Sequence, residues 1–324
     1  MKKVLITGVA GFIGFHMAKT LAARGCDVAG VDNLNDYYPP ALKRARLDAL
    51  DGAVKFAELD IADADSFAAF VKSERPEVVL HLAAQAGVRY SLDHPFAYAH
   101  SNLLGHLSVL EACRHADSLS HLVYASSSSV YGGATKVPFS EDDRVDNPVS
   151  LYAATKRSGE LMSATYAHLY GLKQIGLRFF TVYGPWGRPD MAYWLFTDAI
   201  LKGEPIRVFN HGDMSRDFTY IDDAVTAVTA ITETPPSFST GERPHRLYNI
   251  GNHAPVPLMD MIAALENLLG RKAEKIMELM QPGDVKETYA DVSAAQADYG
   301  FNPSTSINEG LRRFVEWRRS YRDV

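Results

Sequence analysis

The chain alternates short apolar runs with longer amphipathic ones. "KVLIT" (3–7), "DVAGVD" (27–32), "AVKFAELD" (53–60), "EVVLHLAA" (77–84), "HLVYASS" (121–127) and "KQIGLRFF" (173–180) have strand length and little polar alternation. Between them, 12–24, 41–50, 64–73, 96–115 and 151–170 space their apolar residues as helices do, and Gly25 stands where the first helix would stop. Strands without a polar face are buried on both sides. The pattern therefore predicts an α/β fold, a doubly wound parallel sheet with helices on both faces. After Gly184 the rhythm breaks. Proline and glycine become denser, and short strands such as "IRVFN", "RDFTYI" and "RLYNIG" alternate with helices. The expected division is residues 1–180 as the main domain. Residues 181–324 would form a smaller mixed α/β lobe, partly interleaved with it, over the sheet's carboxyl edge.

Composition narrows the class. With 324 residues the chain has room for one large or two associated domains, and 47% hydrophobic with 22% charged residues is ordinary for a globular enzyme. A formal net charge of -6 argues against a duplex nucleic-acid binder, which needs a basic face, but leaves room for a local anion pocket. Cys26 and Cys113 are the only cysteines. They make no metal-type cluster and suit a reducing cytosol, so a cytoplasmic location and no metal are expected. The opening "MKKVLITG" has only Val4–Ile6 as an apolar run before Gly8, too short for a leader, and reads as the first strand. No stretch is long and apolar enough to predict a membrane span.

"TGVAGFIG" follows the first strand and opens the first helix. Gly8, Gly11 and Gly14 permit a tight turn and let backbone N–H groups, with those of Phe12 and Ile13, approach a pyrophosphate at the helix N-terminus. Asp32 ends the second strand, 18 residues after Gly14, where a carboxylate accepts ribose hydroxyls and repels a 2′-phosphate. Asn33 follows it and no arginine is adjacent, so NAD is expected rather than NADP. Together these features predict a Rossmann-type NAD-binding domain. Asp60 and Ile61 end the third strand, where they meet an adenine edge or cap the helix that begins in "DADSF". Leu82, Ala83 and Ala84 close the fourth strand and complete the expected cofactor wall.

In "SLYAATKRSGE", Tyr152 and Lys156 are four residues apart on a predicted helix and share a face. A free phenol titrates near ~10. A nearby ammonium and a cationic nicotinamide ring favour the phenolate, which can take a proton from an alcohol as hydride leaves the same carbon. The bland alternative is a surface helix pair. "YASSSSVYG" (124–132) puts four serines at the end of the fifth strand, where a solvated turn is again the bland reading. With a tyrosine base nearby, Ser127 and Ser129 become candidates to hold the reacting hydroxyl. Ser126 and Ser128 face the other side or bind further substrate oxygens.

Taken together, "TGVAGFIG", "HLAAQAGVRYS", "YASSSSVYG", "YAATK", "LRFFTVYGPWGRPDMA" and "RDFTYIDD" resemble the extended short-chain dehydrogenase/reductase superfamily, and within it the UDP-glucuronate 4-epimerases. The similarity runs from residue 1 to about residue 291. The glycine and Tyr/Lys motifs are specific to the superfamily only; "TVYGPWGRPDMA" and "HLAAQAGVRYS" are more specific to the epimerases. The resemblance implies an NAD-dependent isomerase that inverts carbon 4 of UDP-glucuronate through a transient 4-ketone. Tyr152 would be the base, Lys156 its partner, and Ser127 or Ser129 part of the proton path. Ser127, Ser128, Ser129 and Thr181 would surround the sugar carboxylate, with Arg188 or Arg89 as a charged clamp, unless either arginine is merely a surface ion pair. Arg216 would contact the pyrophosphate, unless it pairs with Asp217 or Asp222. Asp284 would meet the uridine ribose. Thr181 stands where UDP-galactose epimerases have asparagine, which favours an acidic sugar. Gln281 stands where they have arginine, which puts a direct arginine contact to the nucleotide in doubt.

Three alternatives share the fold: a UDP-glucuronate decarboxylase, a UDP-glucose 4-epimerase and a non-catalytic NAD-sensing regulator. The last is disfavoured because Tyr152 and Lys156 are both present. In segments 96–113 and 151–170, apolar residues such as Leu103, Leu104, Leu107, Val109 and Leu110 spread beyond one stripe. A homodimer through a four-helix bundle is expected, as the family usually shows.

Overall fold

A computed structural model describes residues 2–134 and 136–321; residues 1, 135 and 322–324 of the two expected segments lie outside the described residues. The strands are β1 (Lys3–Thr7), β2 (Asp27–Asp32), β3 (Lys55–Glu58), β4 (Val78–His81), β5 (His121–Ser127), β6 (Gln174–Phe179), β7 (Thr181–Tyr183), β8 (Ile206–Val208), β9 (Ser215–Tyr220), β10 (His245–Ile250), β11 (Pro255–Pro257) and β12 (Lys275–Met277). The helices of the first half are α1 (Phe12–Ala23), α2 (Pro40–Asp48), α3 (Ala64–Glu74), α4 (Tyr90–Asp93), α5 (Pro95–Tyr98), α6 (Gly105–Arg114) and α7 (Leu151–Tyr170). Those of the second half are α8 (Ala192–Lys202), α9 (Ile221–Glu233), α10 (Leu258–Leu269), α11 (Ser293–Tyr299) and α12 (Ile307–Ser320).

Seven strands form one parallel sheet in the order β10-β6-β5-β4-β1-β2-β3. The chain runs outward from β1 through β3, then returns to β4 on the other side. The carboxyl ends of β1 and β4 therefore flank a topological switch point, where such sheets bind ligands. Val4 and Ile6 pack on one face with Phe15 and Met17; Leu5 and Val79 pack on the other with Val109 and Leu110. This double coverage is why the strands lack polar alternation. The doubly wound α/β architecture is as expected from the sequence.

Several boundaries moved. β3 is shorter than 53–60, and β4 stops at His81, which leaves Leu82, Ala83 and Ala84 in the loop beyond the strand. The helix expected at 96–115 is α5 and α6 joined by a π-helical turn, Ala99–Leu104. The buried Asn102 side chain lies in that turn, accepting from the Gln85 N–H (2.8 Å) and donating to Gln85 O (3.0 Å) and Thr155 Oγ1 (3.0 Å). Such tertiary bonds leave no trace in local periodicity. "RLYNIG", read with the later short strands, is β10, and it pairs with β6 in the main sheet. A three-stranded sheet β11-β9-β7 and the pair β12-β8 complete the C-terminal part.

Candidate active site

The carboxyl ends of the central strands open into a cleft of about 400 Å³. One wall begins at the glycine loop. Gly8 has φ 74°, and a Cβ there would lie 2.7 Å from the Ala83 nitrogen; a Cβ on Gly14 would run into the Gly8 carbonyl. The close approach of β1, β4 and α1 thus requires glycine at both positions. Helix α1 starts at Gly11 with no side-chain cap and no acidic residue in its first turn. Its leading N–H groups, those of Phe12, Ile13 and Gly14, lack intrahelical partners and suit an anion. All three residues line the cleft.

The buried Asp32 carboxylate accepts from the N–H groups of Ala10 (3.2 Å) and Leu34 (2.9 Å). Lys43 Nζ lies 3.8 Å from it and donates to Asn35 Oδ1 at 2.9 Å. Asn33 Nδ2 donates to Asp60 Oδ2 (3.1 Å). Asp60 also accepts from the Ala62 N–H (2.8 Å) and faces His100 (3.2 Å). Burial raises the Asp60 carboxyl, but these bonds outweigh it and hold the group below its ordinary value. Asp60 does not cap the next helix. Asp63 does, accepting from the Ser66 N–H (3.2 Å), so the cap reading of Asp60 fails. Asp60, Ile61, Leu82, Ala83 and Ala84 all line the same wall.

The opposite wall is carried by β5 and α7. Ser150 caps α7 through the Ala153 N–H (3.1 Å), and the helix aims Tyr152 and Lys156 at the cleft, both half-buried. Lys156 Nζ donates to the Ala125 carbonyl (2.9 Å). Burial pushes the lysine down to about 8, against the attraction of Glu160. Burial pushes the Tyr152 phenol up, while a hydrogen bond with Ser127 and the Arg188 charge pull it back. The lysine is therefore not the leading influence on the phenol that its spacing suggests. Its ammonium is directed at a main-chain oxygen.

The serines divide differently from strand parity. Ser127 Oγ donates to Ser129 Oγ (3.1 Å) and accepts from the Ser129 N–H (3.2 Å). β5 ends at Ser127 and a 3-10 turn, Ser128–Tyr131, follows, so Ser128 also lines the cleft. Ser126 borders the cleft too, but its hydroxyl donates to Glu160 (2.6 Å). Glu160 pairs with the buried Arg178 at 2.8 and 3.0 Å, and Arg178 reaches the Tyr131 hydroxyl at 3.0 Å.

Thr181 and Arg188 line the cleft near this wall. Arg188 is in an ion pair with Asp190 (3.0 and 2.5 Å), and Tyr37 donates to the same carboxylate (2.9 Å). Arg216 also lines the cleft and donates to the carbonyls of Ser215 (2.9 Å) and Lys286 (3.1 Å). It pairs with neither suggested carboxylate. Asp217 accepts from the N–H groups of Asn252 (2.5 Å) and Ala290 (3.0 Å), and Asp222 faces Arg313 (3.4 Å). Arg89 stands on the rim, half exposed, paired with Asp284 (3.1 Å) and stacked 4.4 Å from the Phe209 ring. Both arginines are thus ion-paired, Arg89 at the surface and Arg188 inside the cleft; Asp284 itself reaches the cleft.

Sequence reasoning missed Asn35, Tyr37, Lys43 and Gln85, which line the same cleft. One signal was available. Leu42, Lys43 and Arg46 share the buried face of α2, and cations on an apolar helix face call for a partner.

The model of the NAD dependent epimerase/dehydratase family matches residues 4–251. UDP-glucuronate 4-epimerase 3 of Arabidopsis thaliana is 49% identical over 98% of this chain and 76% of its own length. The crystal structure of the UDP-glucuronic acid 4-epimerase of Bacillus cereus, in complex with UDP-glucuronic acid and NAD, superposes with a TM-score of 0.91 at 34% identity, over 98% of this chain and all of that one. The UDP-glucose 4-epimerase of Thermotoga maritima, solved with UDP-glucose, gives 0.88 at 30% identity, over 98% and 99%. With its dinucleotide wall, its tyrosine wall and nearly its full length matched, the chain belongs to the family of NAD-dependent epimerases and dehydratases.

Proposed function

We propose that the protein inverts carbon 4 of UDP-glucuronate to give UDP-galacturonate. The observation that carries this reading is the meeting of Tyr152, Ser127 and Arg188. All three line one cleft, and the pairing with Asp190 leaves the Nη1 end of the guanidinium outside that pair, so a base and a cation face the same cavity. A neutral hexose has no use for a cation beside its reacting carbon; a uronate does. The relatives named for UDP-glucuronate support the same choice.

The glycine loop, the free N-terminus of α1 and the Asp32 carboxylate fit NAD, with Asn33, Asp60, Ile61 and Leu82–Ala84 along the adenosine and nicotinamide path. When bound, NAD supplies the acceptor and donor of the hydride at carbon 4. Tyr152 takes the proton of the 4-hydroxyl and later returns it, with Ser127 and Ser129 holding that oxygen. Lys156, pinned to Ala125 O, lines the same cleft one helical turn after the base. Arg216 and Asp284 hold the pyrophosphate and the uridine ribose, and Arg89 orders Asp284 from the rim. The 4-ketone is a β-keto acid, which loses carbon dioxide when the carboxyl bond aligns with the carbonyl π system. Ser127, Ser128, Ser129, Thr181 and Arg188 keep the carboxylate out of that alignment.

The reaction is tested by incubating the purified protein with UDP-glucuronate and no added NAD, then resolving products by chromatography and mass. UDP-galacturonate of unchanged mass is expected. Loss of carbon dioxide would identify a decarboxylase. No turnover with UDP-glucuronate alongside turnover of UDP-glucose would identify the neutral-sugar epimerase.

The working division is residues 1–180 for NAD and the Tyr/Lys pair, and 181–324 for the nucleotide sugar, with β10 returning to the main sheet. The working assembly is a homodimer through α6 and α7. Val109 and Leu110 are buried in the fold, whereas Leu104, Leu107, Leu161 and Leu169 are exposed on these helices and the turn before them. Light scattering distinguishes a dimer from a 35.7 kDa monomer. The working location is the cytoplasm, which suits the free thiols of Cys26 and Cys113. No helix of the described residues is long and apolar enough to cross a membrane.

A further inference from the structure

Arg188 sits in the turn "GPWGRPDM", whose own ties are weak. Gly187 N–H reaches Gly184 O at 3.2 Å and Met191 N–H reaches Arg188 O at 3.3 Å. Trp186 holds a positive φ of 61°, which a non-glycine residue keeps only when its surroundings impose it. The Trp186 ring packs on Phe15, Trp317 and Tyr321, and its carbonyl is held by Arg46, from the segment after β2. Arg46 is fully buried, and among the described residues it has no carboxylate partner. It donates from Nε (3.1 Å) and Nη2 (2.7 Å) to Trp186 O, and from Nη2 to Gly187 O (2.8 Å). Its Nη1 donates to Ala10 O in the glycine loop (2.9 Å) and to the Tyr38 hydroxyl (2.8 Å). Five donor contacts on one guanidinium leave it no capacity for a ligand. On the far side of Arg188, Asp190 takes the Nε and Nη2 edge of its guanidinium, and the Tyr37 hydroxyl fixes Asp190 at 2.9 Å.

Both grips on Arg188 therefore originate in one stretch, which begins beside Asp32 at the adenosine end of the dinucleotide wall. Arg46 fixes the backbone that precedes Arg188, and Tyr37 fixes the carboxylate that orients its head group. We propose that Tyr37 and Arg46 are positioning residues for Arg188, so that selection for a carboxylate-bearing sugar is set from the cofactor half of the molecule. This rests on the reading of Arg188 as the carboxylate clamp. Asp190 in this arrangement leaves the Nη1 end of Arg188 outside its own pair, and that end is what a sugar carboxylate would meet.

The test compares affinities of the NAD-loaded protein for UDP-glucuronate and UDP-glucose, which differ only at carbon 6. Arg188→Ala removes the clamp and sets the scale. Tyr37→Phe deletes one oxygen and keeps the ring, so its folding is not at issue. It is expected to lower the acid-over-neutral preference about threefold to tenfold, by raising KM for UDP-glucuronate more than it lowers kcat. Arg46→Lys keeps a charge but offers at most three donors on a shorter stem; about tenfold is expected. In the Arg188→Ala background, Tyr37→Phe should cause no further loss of preference, because its effect passes through Arg188. A Tyr37→Phe variant with unchanged or increased preference, in a protein whose Arg188→Ala variant has lost it, overturns the positioning role and leaves the clamp standing. If Arg188→Ala itself leaves the preference intact, the clamp and the positioning role fall together.

Discussion

The two walls of the cleft are built from different material. The dinucleotide wall is mostly main chain: three glycines, the open end of α1 and a carboxylate held by two N–H groups. The sugar wall is mostly side chain, with serine hydroxyls, a phenol, an ammonium and a guanidinium tied to partners from distant segments. On the reading proposed above, main-chain recognition fixes where a common cofactor lies and tolerates little change. On the same reading side-chain recognition decides which sugar reacts, and each member leans on a neighbour that can be removed singly.

That contrast predicts which function each wall loses. Tyr152→Phe, on the sugar wall, should lower turnover by ~10²–10⁴-fold, as for a lost general base, while the protein still purifies with dinucleotide absorbance. Loss of the dinucleotide as well would erase the distinction between the walls. Behind the same wall, Glu160→Gln leaves Arg178 as an unpaired buried charge. It should cost about 3–5 kcal/mol of stability, read by denaturant unfolding. A change near zero would mean that the pair does not hold Ser126 and β5 in place. On the dinucleotide wall, Asp32→Ala should weaken NAD retention by roughly 10–100-fold, the range for a lost charged hydrogen bond, and added NAD should restore turnover. Failure of added NAD to restore it would place Asp32 in the chemistry instead.

The smallest effect expected is on pH stability, set by histidines outside both walls. His16, whose ring meets Pro185 O at 3.0 Å, is pushed down to about 4 by burial; His121 and His245 are pushed to about 4, and His106 to about 3. Each binds its proton more readily when unfolded, with an ordinary value near ~6.5. Between these values the unfolded state holds more protons, so stability falls as pH drops from about 6.5 toward 4. Asp217 opposes this. Burial raises it to about 6 and raises Glu141 and Asp222 as well, so their cost diminishes on acidification, but His81 is pushed down like the other four rings and five histidines outweigh three carboxyls. The melting temperature should fall by about 5 °C or more from pH 6.5 to 4.5. A flat or rising profile would mean that these rings are charged in the folded protein.

The same contrast governs what was legible in the sequence. β1, β2, β5 and α7 were read to the residue, because each is an uninterrupted run ended by glycine, a polar cluster or a capping serine. Gly8, Gly14 and Asp32 were legible because a tight crossing admits few alternatives. The serine pairing was not. Strand parity sets Ser128 apart from Ser127, yet the strand ends at Ser127 and parity ends with it. Nor was the partner of Lys156, a main-chain oxygen with no sequence signature. Asp190, Tyr37 and Arg46 escaped because their meaning lies in contacts across about 140–150 positions of chain, beyond any local period. The substrate class was legible only through resemblance to the epimerases.

The central claim is that carbon 4 is oxidised and reduced in one stay on the protein, with the carboxylate kept. It is tested most directly with UDP-glucuronate carrying deuterium at carbon 4, incubated with the purified protein and no added dinucleotide. UDP-galacturonate should form with its mass unchanged and the deuterium still at carbon 4, read by mass spectrometry and NMR. Deuterium exchanged for solvent hydrogen, or a pentose product lighter by carbon dioxide, would contradict it.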